Sequence, residues 1–361
     1  MDSKKIIEKR LEKFKEKLRD KGIEAAFITK RENYMYLSGF TGTSAYLIIT
    51  QEEAVLVTDF RYEQQAAEQA PFFHVIKYQG DVFNAFNELL EKKAIQQLGF
   101  EESDLTYKQY TEYKNKLQVK DFIPLGGIVE TMRMIKDQEE IKIIRKAVEI
   151  ADNAFTHVLT YIKPGITEIE IAAELEYSMK RQGAKGPSFE TIVASGGRSS
   201  MPHGTATDKK IKQGDTITLD FGAIYKEYCS DMTRTVFVGE PSEEMKRIYA
   251  IVLEAQRKSL EGAKKGLTGK EIDSIARDLI VKAGFEKNFG HGLGHGVGIE
   301  VHEEPRLSPS GNIVMDNNMV VTVEPGIYVP RLGGVRIEDM IVIQDDKPLI
   351  LTKSTKELVI V

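Results

Sequence analysis

The chain has 361 residues, one cysteine and a formal net charge of -5 spread over mixed signs. That length exceeds a single ordinary core and predicts two domains, and the charge balance offers no basic stripe for nucleic acid. One cysteine excludes an intrachain disulfide and fits a reducing compartment. The charged opening Met1-Asp-Ser-Lys-Lys cannot hold the apolar core of a signal peptide, and no apolar run approaches the roughly 20 residues of a spanning helix. The expectation is a cytoplasmic protein with no membrane or nucleic-acid partner.

Ile7, Leu11, Phe14 and Leu18 mark one face of an opening amphipathic helix that ends near Gly22. Alternating patterns then predict strands over 25–29, 34–37, 44–50 and 54–58. Helical patterns over 61–69, 81–93 and 107–117 interleave with strands at 74–78 and 97–100. These segments make an α/β domain, taken as residues 1–128, which closes near Pro124-Leu-Gly-Gly127. It holds no phosphate loop and no dinucleotide glycine pattern, so its expected role is structural or oligomeric.

A second domain, 129–361, opens with the capping box Asp137-Gln-Glu-Glu140 and a helix to about residue 161. Inside it, Gly165-Ile-Thr-Glu-Ile-Glu and Gly266-Leu-Thr-Gly-Lys-Glu share one design: glycine, an aliphatic, a Thr cap and a Glu three residues on. The offset is 101 residues (268 − 167). Each box precedes a hairpin pattern that carries acidic residues. The first hairpin spans 216–238 and has Asp220 and Asp231 near its inner ends. With a turn centred near Tyr225 and Lys226 the two aspartates fall opposite one another, about 5 Å apart at Cβ, where like charges repel unless a cation neutralises them. The second spans 319–343 and carries Glu324 and Glu338. Adding the offset to Asp220 and Asp231 gives positions 321 and 332, close before those glutamates, so the domain reads as a diverged duplication.

Between the hairpins lies His291-Gly-Leu-Gly-His-Gly-Val-Gly298, an imidazole-bearing stretch whose glycines permit close backbone approach. Four carboxylates and a histidine suit a pair of Mn, Co, Zn or Fe ions. Cys229, between the two aspartates, reads as a small buried strand residue rather than a ligand.

Residues 137–361 resemble the catalytic domain of the proline-directed metallopeptidases of the creatinase or pita-bread fold. The preceding chain resembles the N-terminal domain of prolidase and aminopeptidase P. The segments that carry the resemblance are Pro202-His-Gly, Leu219-Asp-Phe-Gly, Tyr228-Cys-Ser-Asp-Met-Thr-Arg-Thr, the run from His291 through His302 to Glu303, Val323-Glu-Pro-Gly-Ile-Tyr and Gly334-Val-Arg-Ile-Glu. The implied fold is an α/β domain of the creatinase N-terminal type followed by an α+β pita-bread domain with an internal pseudo-twofold duplication.

The resemblance also implies two divalent metal ions per chain, with Mn expected first and Co, Zn or Fe as alternatives. Asp220 and Asp231 would hold one ion, His295 and Glu324 the other, with Asp231 and Glu338 bridging. Glu324 would move the proton of the attacking water. His203 and His302 would flank the substrate as catalytic groups, His291 would line it, and Arg306 would hold a terminal carboxylate. Arg336 shares a strand face with Glu338 and is expected to hold a ligand carboxylate. The expected activity is hydrolysis of the bond before proline at a free N-terminus, by an Xaa-Pro dipeptidase working as a homodimer. Aminopeptidase P acting on longer peptides is the alternative, and an inactive peptide-binding module is the reading from another class.

Overall fold

The computed structural model describes residues 3–361, in two compact units that meet between Arg133 and Met134. The expected boundary at 128/129 stands at the start of a short helix, Ile128–Met134, rather than at its end.

The first unit opens with α1 (Ser3–Asp20), whose Phe14 and Leu18 are fully buried. Then come β1 (Ala25–Ile28), α2 (Arg31–Ser38), β2 (Tyr46–Thr50), β3 (Ala54–Thr58), α3 (Glu63–Gln69), β4 (His74–Lys77), α4 (Val82–Lys92), β5 (Gln97–Phe100), α5 (Tyr107–Lys116), β6 (Asp121–Pro124) and α6 (Ile128–Met134). The strands form one mixed sheet in the order β4-β3-β2-β1-β5-β6. Phe27 on β1 meets the rings of Phe86 and Tyr113 edge-on, which places an aromatic core between the sheet and helices α4 and α5.

Two expectations change here. Residues 34–37 are helical, not a strand: they lie in α2, whose start is held by a carboxylate from elsewhere in the unit. Glu101 accepts from the backbone N–H of Thr29 (2.6 Å) and Lys30 (2.7 Å), and Gly39 ends the helix at φ 80°. No local cap announces that helix. Strand β6, which the sequence pattern does not predict, pairs parallel with β5 after a connection through α5 rather than a local turn signal.

The second unit continues with α7 (Gln138–Leu159), α8 (Glu168–Arg181), β7 (Gly186–Pro187), β8 (Ile192–Ser195), β9 (Thr216–Phe221), β10 (Ala223–Tyr225), β11 (Tyr228–Cys229) and β12 (Met232–Phe237). There follow α9 (Glu243–Gly262), α10 (Gly269–Lys282), β13 (Gly294–Gly296), β14 (Glu303–Leu307), β15 (Val320–Val323), β16 (Gly326–Val329), β17 (Gly333–Arg336), β18 (Asp339–Val342), β19 (Leu349–Ile350) and β20 (Val359–Ile360). Each half pairs two helices with its own sheet, β20-β12-β9-β8 in the first and β14-β13-β15-β18-β19 in the second. Each also has its own apolar core, one around Leu175, Val193 and Leu219, the other around Val252, Ile272 and Val321.

The duplication is visible in the hydrogen bonds. Gly165 N donates to Ile211 O and Gly266 N to Met315 O, while Thr167 bridges Lys210 and Thr268 bridges Val314. The offset is therefore 101 at the caps but 104 at the strands (314 − 210), because the second half has three more residues between them. Applied to Asp220, 104 gives 324, so Asp220 and Glu324 are equivalent.

The hairpin registers correct the rest. Asp220 pairs with Thr233, and Tyr225 with Tyr228, so the turn is Lys226-Glu227 and not the pair one residue earlier. Both turn residues take positive φ (46° and 69°), the geometry that two-residue hairpins favour, here without the usual glycine or asparagine. By the same count Asp231 lies across from Gly222. In the second half Val323 pairs with Asp339 and Gly326 with Arg336, so Glu324 stands across from Glu338. The counterpart of Asp231 is thus Arg336, and the counterpart of Glu338 is Thr233.

Candidate metal centre

The two hairpins bring their acidic residues to one floor. Asp220 is the last residue but one of β9, Asp231 precedes β12, Glu324 follows β15, Glu338 precedes β18, and His295 sits in mid-β13. All five are on the wall of a cavity of about 500 Å³, together with His203, His291, His302, Arg306 and Arg336. Every residue singled out in the sequence for this site therefore meets the same space. Cys229 does not line it: its thiol is buried and donates to Ile299 O (3.4 Å).

Glycine explains why the histidine strand fits. A Cβ at Gly294 would lie 2.1 Å from Thr322 O, and one at Gly296 would lie 2.3 Å from Glu304 O. Side chains at either place would push β13 away from its neighbours. His295 Nδ1 then donates to Gly296 O (3.1 Å), which turns Nε2 toward Asp231 Oδ2 (3.6 Å) and Glu324 Oε1 (3.3 Å).

Ligand atoms of Asp231, His295 and Glu338 lie within 4.8 Å of one another, all three residues buried. Burial raises the pKa of Asp220, although Arg336 opposes it, and raises Asp231 and Glu338 well above the ordinary range, with neighbouring carboxylates adding to the rise. Burial acts the same way on Glu324, but His295, His291 and Arg336 together outweigh it and bring Glu324 down to about 2. Oδ1 of Asp220, Oδ1 of Asp231 and Oε1 of Glu338 are buried without a hydrogen-bond partner. Buried acceptors of this kind are costly unless something positive meets them. Among the described residues Arg336 is the one arginine or lysine paired with any of the four carboxylates, so the donor set fits divalent metal.

The remaining contacts hold the carboxylates in place. Arg336 donates through Nη2 to Asp220 Oδ2 (2.6 Å), through Nε to Thr233 Oγ1 (3.0 Å) and through Nη1 to the Tyr328 hydroxyl (2.8 Å). Thr233 Oγ1 donates in turn to Glu338 Oε2 (2.6 Å), and Thr322 Oγ1 to Glu324 Oε1 (3.2 Å). His291 is engaged at both nitrogens, by Gly292 O and by the Tyr328 hydroxyl at 2.8 Å each, so it lines the cavity with neither nitrogen free. His203 and His302 are exposed at the mouth, His302 with its ring 4.3 Å from that of His295. Arg306 pairs in register with His295 and is likewise exposed.

Sequence reasoning missed Thr233, Tyr328 and Glu168. Glu168 is fully buried and gathers the chain that carries His203: it accepts from Ser195 N (2.8 Å), Ser195 Oγ (2.7 Å), Thr207 N (3.1 Å), Thr207 Oγ1 (2.6 Å) and Arg198 Nε (3.2 Å). Its only sequence signal was its place right after a cap, where acidic residues are common anyway. On the other side of the mouth, Lys136 Nζ holds Glu303, next to His302, at 2.7 Å with both side chains nearly buried.

Residues 142–345 match the model of metallopeptidase family M24, and residues 10–135 match that of the creatinase/prolidase N-terminal domain. The chain belongs to the M24 metallopeptidases. Its fold is the creatinase N-terminal domain followed by the pita-bread catalytic domain. The Xaa-Pro dipeptidase of Bacillus anthracis superposes with a TM-score of 0.96 at 46% identity, over 98% of this chain and all of that one. The Xaa-Pro dipeptidase of Pyrococcus horikoshii is 44% identical over 98% of this chain and 99% of its own length. The X-Pro aminopeptidase of Thermotoga maritima superposes with a TM-score of 0.90 at 41% identity, over 96% of this chain and all of that one.

Proposed function

We propose that this metallopeptidase is an Xaa-Pro dipeptidase whose catalytic unit holds two divalent ions per chain. The observation that carries the reading is the cavity itself: carboxylates and one imidazole on its floor, histidines at its mouth and on its wall Arg306, whose guanidinium has no partner among the described residues. Asp220, Asp231, His295, Glu324 and Glu338 are the proposed ligands. Manganese is the proposed ion, since an oxygen-rich set with one imidazole suits that part of the series, with Co, Zn and Fe as alternatives. When bound, such ions supply an activated water and polarise the scissile carbonyl.

The chain's own residues do the rest. Glu324 takes a proton from the attacking water as its oxygen adds to the carbonyl carbon, then returns that proton to the proline nitrogen as the C–N bond breaks. His203 and His302, at the mouth, stabilise the oxyanion that develops. Arg336 and Thr233 keep Asp220 and Glu338 oriented. Arg306 binds the carboxylate of the proline and so ends the pocket after two residues. A homodimer in the cytoplasm is part of the same proposal, in keeping with the family and the lone cysteine.

Release of free proline from Leu-Pro, abolished by chelation and restored by Mn, tests the reading. Arg306→Ala should cost dipeptide cleavage several-fold to about tenfold, because an exposed charge pair is screened, and should spare a tripeptide amide. The Thermotoga relative supports the second reading, aminopeptidase P. That reading takes over if wild type cuts Leu-Pro-Gly faster than Leu-Pro and Arg306→Ala leaves the preference unchanged.

A further inference from the structure

Two charged side chains on the cavity wall, Arg306 and Glu190, have no side-chain partner among the described residues, and they belong to opposite halves. Arg306 lies on β14 beside His295. Glu190 lies two residues before Ile192, which pairs in register with Asp220 at the edge of the first-half sheet. Between them, Thr191 is buried and donates to Glu176 on α8 (3.0 Å). Alternation along an extended chain therefore turns Glu190 and Ile192 the other way, into the cavity, and both line it. No hydrogen bond or ion pair reaches the Glu190 carboxylate among the described residues. The other acids on the wall are the four proposed ligands, so Glu190 is the one carboxylate free to meet a substrate.

We propose that Glu190 selects dipeptides whose first residue is cationic, Lys-Pro and Arg-Pro. This inference rests on the proposed dipeptidase reading. If Arg306 binds the proline carboxylate from the second half, the residue before proline extends toward the first half, where Glu190 stands. Phe189 lines the cavity beside it, half-buried, and offers an apolar wall for the methylene stem of a lysine or arginine whose charged head reaches the carboxylate. Glu190 is exposed, so the pair is screened and its effect is modest: about two- to fivefold in kcat/KM at low ionic strength, shrinking as salt is added.

The experiment measures kcat/KM for Lys-Pro, Leu-Pro and Glu-Pro with the full metal-loaded chain, in wild type, Glu190→Gln and Glu190→Lys. All three substrates carry the same α-ammonium, so ratios between them isolate the first side chain. The ratio of Lys-Pro to Leu-Pro should fall about two- to fivefold in Glu190→Gln, and Glu190→Lys should raise Glu-Pro relative to Leu-Pro. Unchanged ratios in both variants overturn the inference, whether absolute rates hold or fall together; a common fall would mean that Glu190 reads the α-ammonium. Wild-type turnover of Leu-Pro keeps the dipeptidase reading standing in either case. If wild type hydrolyses none of the three, that reading falls and the inference with it.

Discussion

In the first half of the catalytic unit the hairpin carries Asp220, Asp231 and Thr233; in the second the equivalent places hold Glu324, Arg336 and Glu338. The shared skeleton includes details with no chemical role, such as Gly222 and Gly326 at matching positions (222 + 104 = 326). What differs is the exchange along one strand, Asp-x-Thr in the first half against Arg-x-Glu in the second. A strict repeat would have placed two aspartates and two threonines around the floor. The exchange instead makes each half complete the other: Arg336 reaches across to Asp220, and Thr233 reaches across to Glu338. Duplication supplied the scaffold, and breaking its symmetry at one strand gave the floor both an orienting cation and a fourth carboxylate.

The largest effect should come from the exchanged position itself. Asp231→Ala removes a proposed shared ligand and should lose metal and essentially all turnover. Arg336→Ala, at the same place in the other half, removes no proposed ligand but the contacts that orient Asp220, Thr233 and Tyr328, and should weaken metal binding by about 10- to 100-fold. Metal titration of both variants separates the roles. Full metal occupancy in Asp231→Ala would remove it from the ligand set, and equal losses would erase the distinction between the halves.

Each half also brings one histidine to the mouth, His203 from the first and His302 from the second. His203→Ala and His302→Ala should each keep their metal while turnover falls on the order of a hundredfold, the usual cost of deleting one electrostatic stabiliser. Loss of metal in either variant, by elemental analysis, would make that histidine a ligand.

The acidic positions were legible because carboxylates stand out in strands otherwise made of Val, Ile and Thr, and the glycines around His295 stand out too. What escaped reading depends on distant chain. The Lys226-Glu227 turn takes a conformation that its residues do not advertise, and a one-residue change in turn position altered which residues face each other. The 101-residue offset holds at the caps, but three extra residues before the strands and one more within the second hairpin make Arg336 (231 + 105 = 336), rather than Glu338, the counterpart of Asp231. Helix α2 looked extended because its cap, Glu101, lies far along the chain. Thr233, Tyr328 and Glu168 are ordinary residues until folding shows what they touch.

A smaller effect separates the two helix starts. At the first position of α8 stands Glu168, with five donors around its carboxylate; at the same place in α10 stands Gly269, where a Cβ would lie 2.0 Å from Arg306 O. Glu168→Gln replaces an acceptor-only group with one that brings two hydrogens among donors, and should cost about 1–3 kcal/mol. Gly269→Ala overpacks the strand that carries Arg306 and should cost a similar 1–3 kcal/mol or so. Urea unfolding measures both, and kinetics tells them apart: the first should disturb steps that need His203, the second should raise KM for dipeptides. If both changes act on stability alone, these helix starts support the fold without aligning the site.

The smallest expected effect is one in which the halves should behave alike. Thr167 N donates to Glu170 and Thr268 N to Glu271 at 2.7 Å each, and both return bonds to the threonine hydroxyls measure 3.2 Å. Thr167→Ala and Thr268→Ala should each cost about 1 kcal/mol at neutral pH, and the double variant about the sum, since the sites share no partner. The bonds from each threonine lower the pKa of Glu170 and Glu271 below the ordinary 4.5. A carboxyl whose folded pKa is depressed contributes stability that is present above its unfolded value and is lost as pH falls through the folded one. The cost of each substitution should therefore hold from neutral pH down to about that unfolded value, then shrink on further acidification as the glutamates take protons and no longer accept from the threonine hydroxyls that alanine lacks. Thermal unfolding of the three variants at pH 7 and pH 3 measures this. A cost that differs between the halves, or that fails to shrink in acid, would mean that the two boxes share a geometry without sharing its energetics.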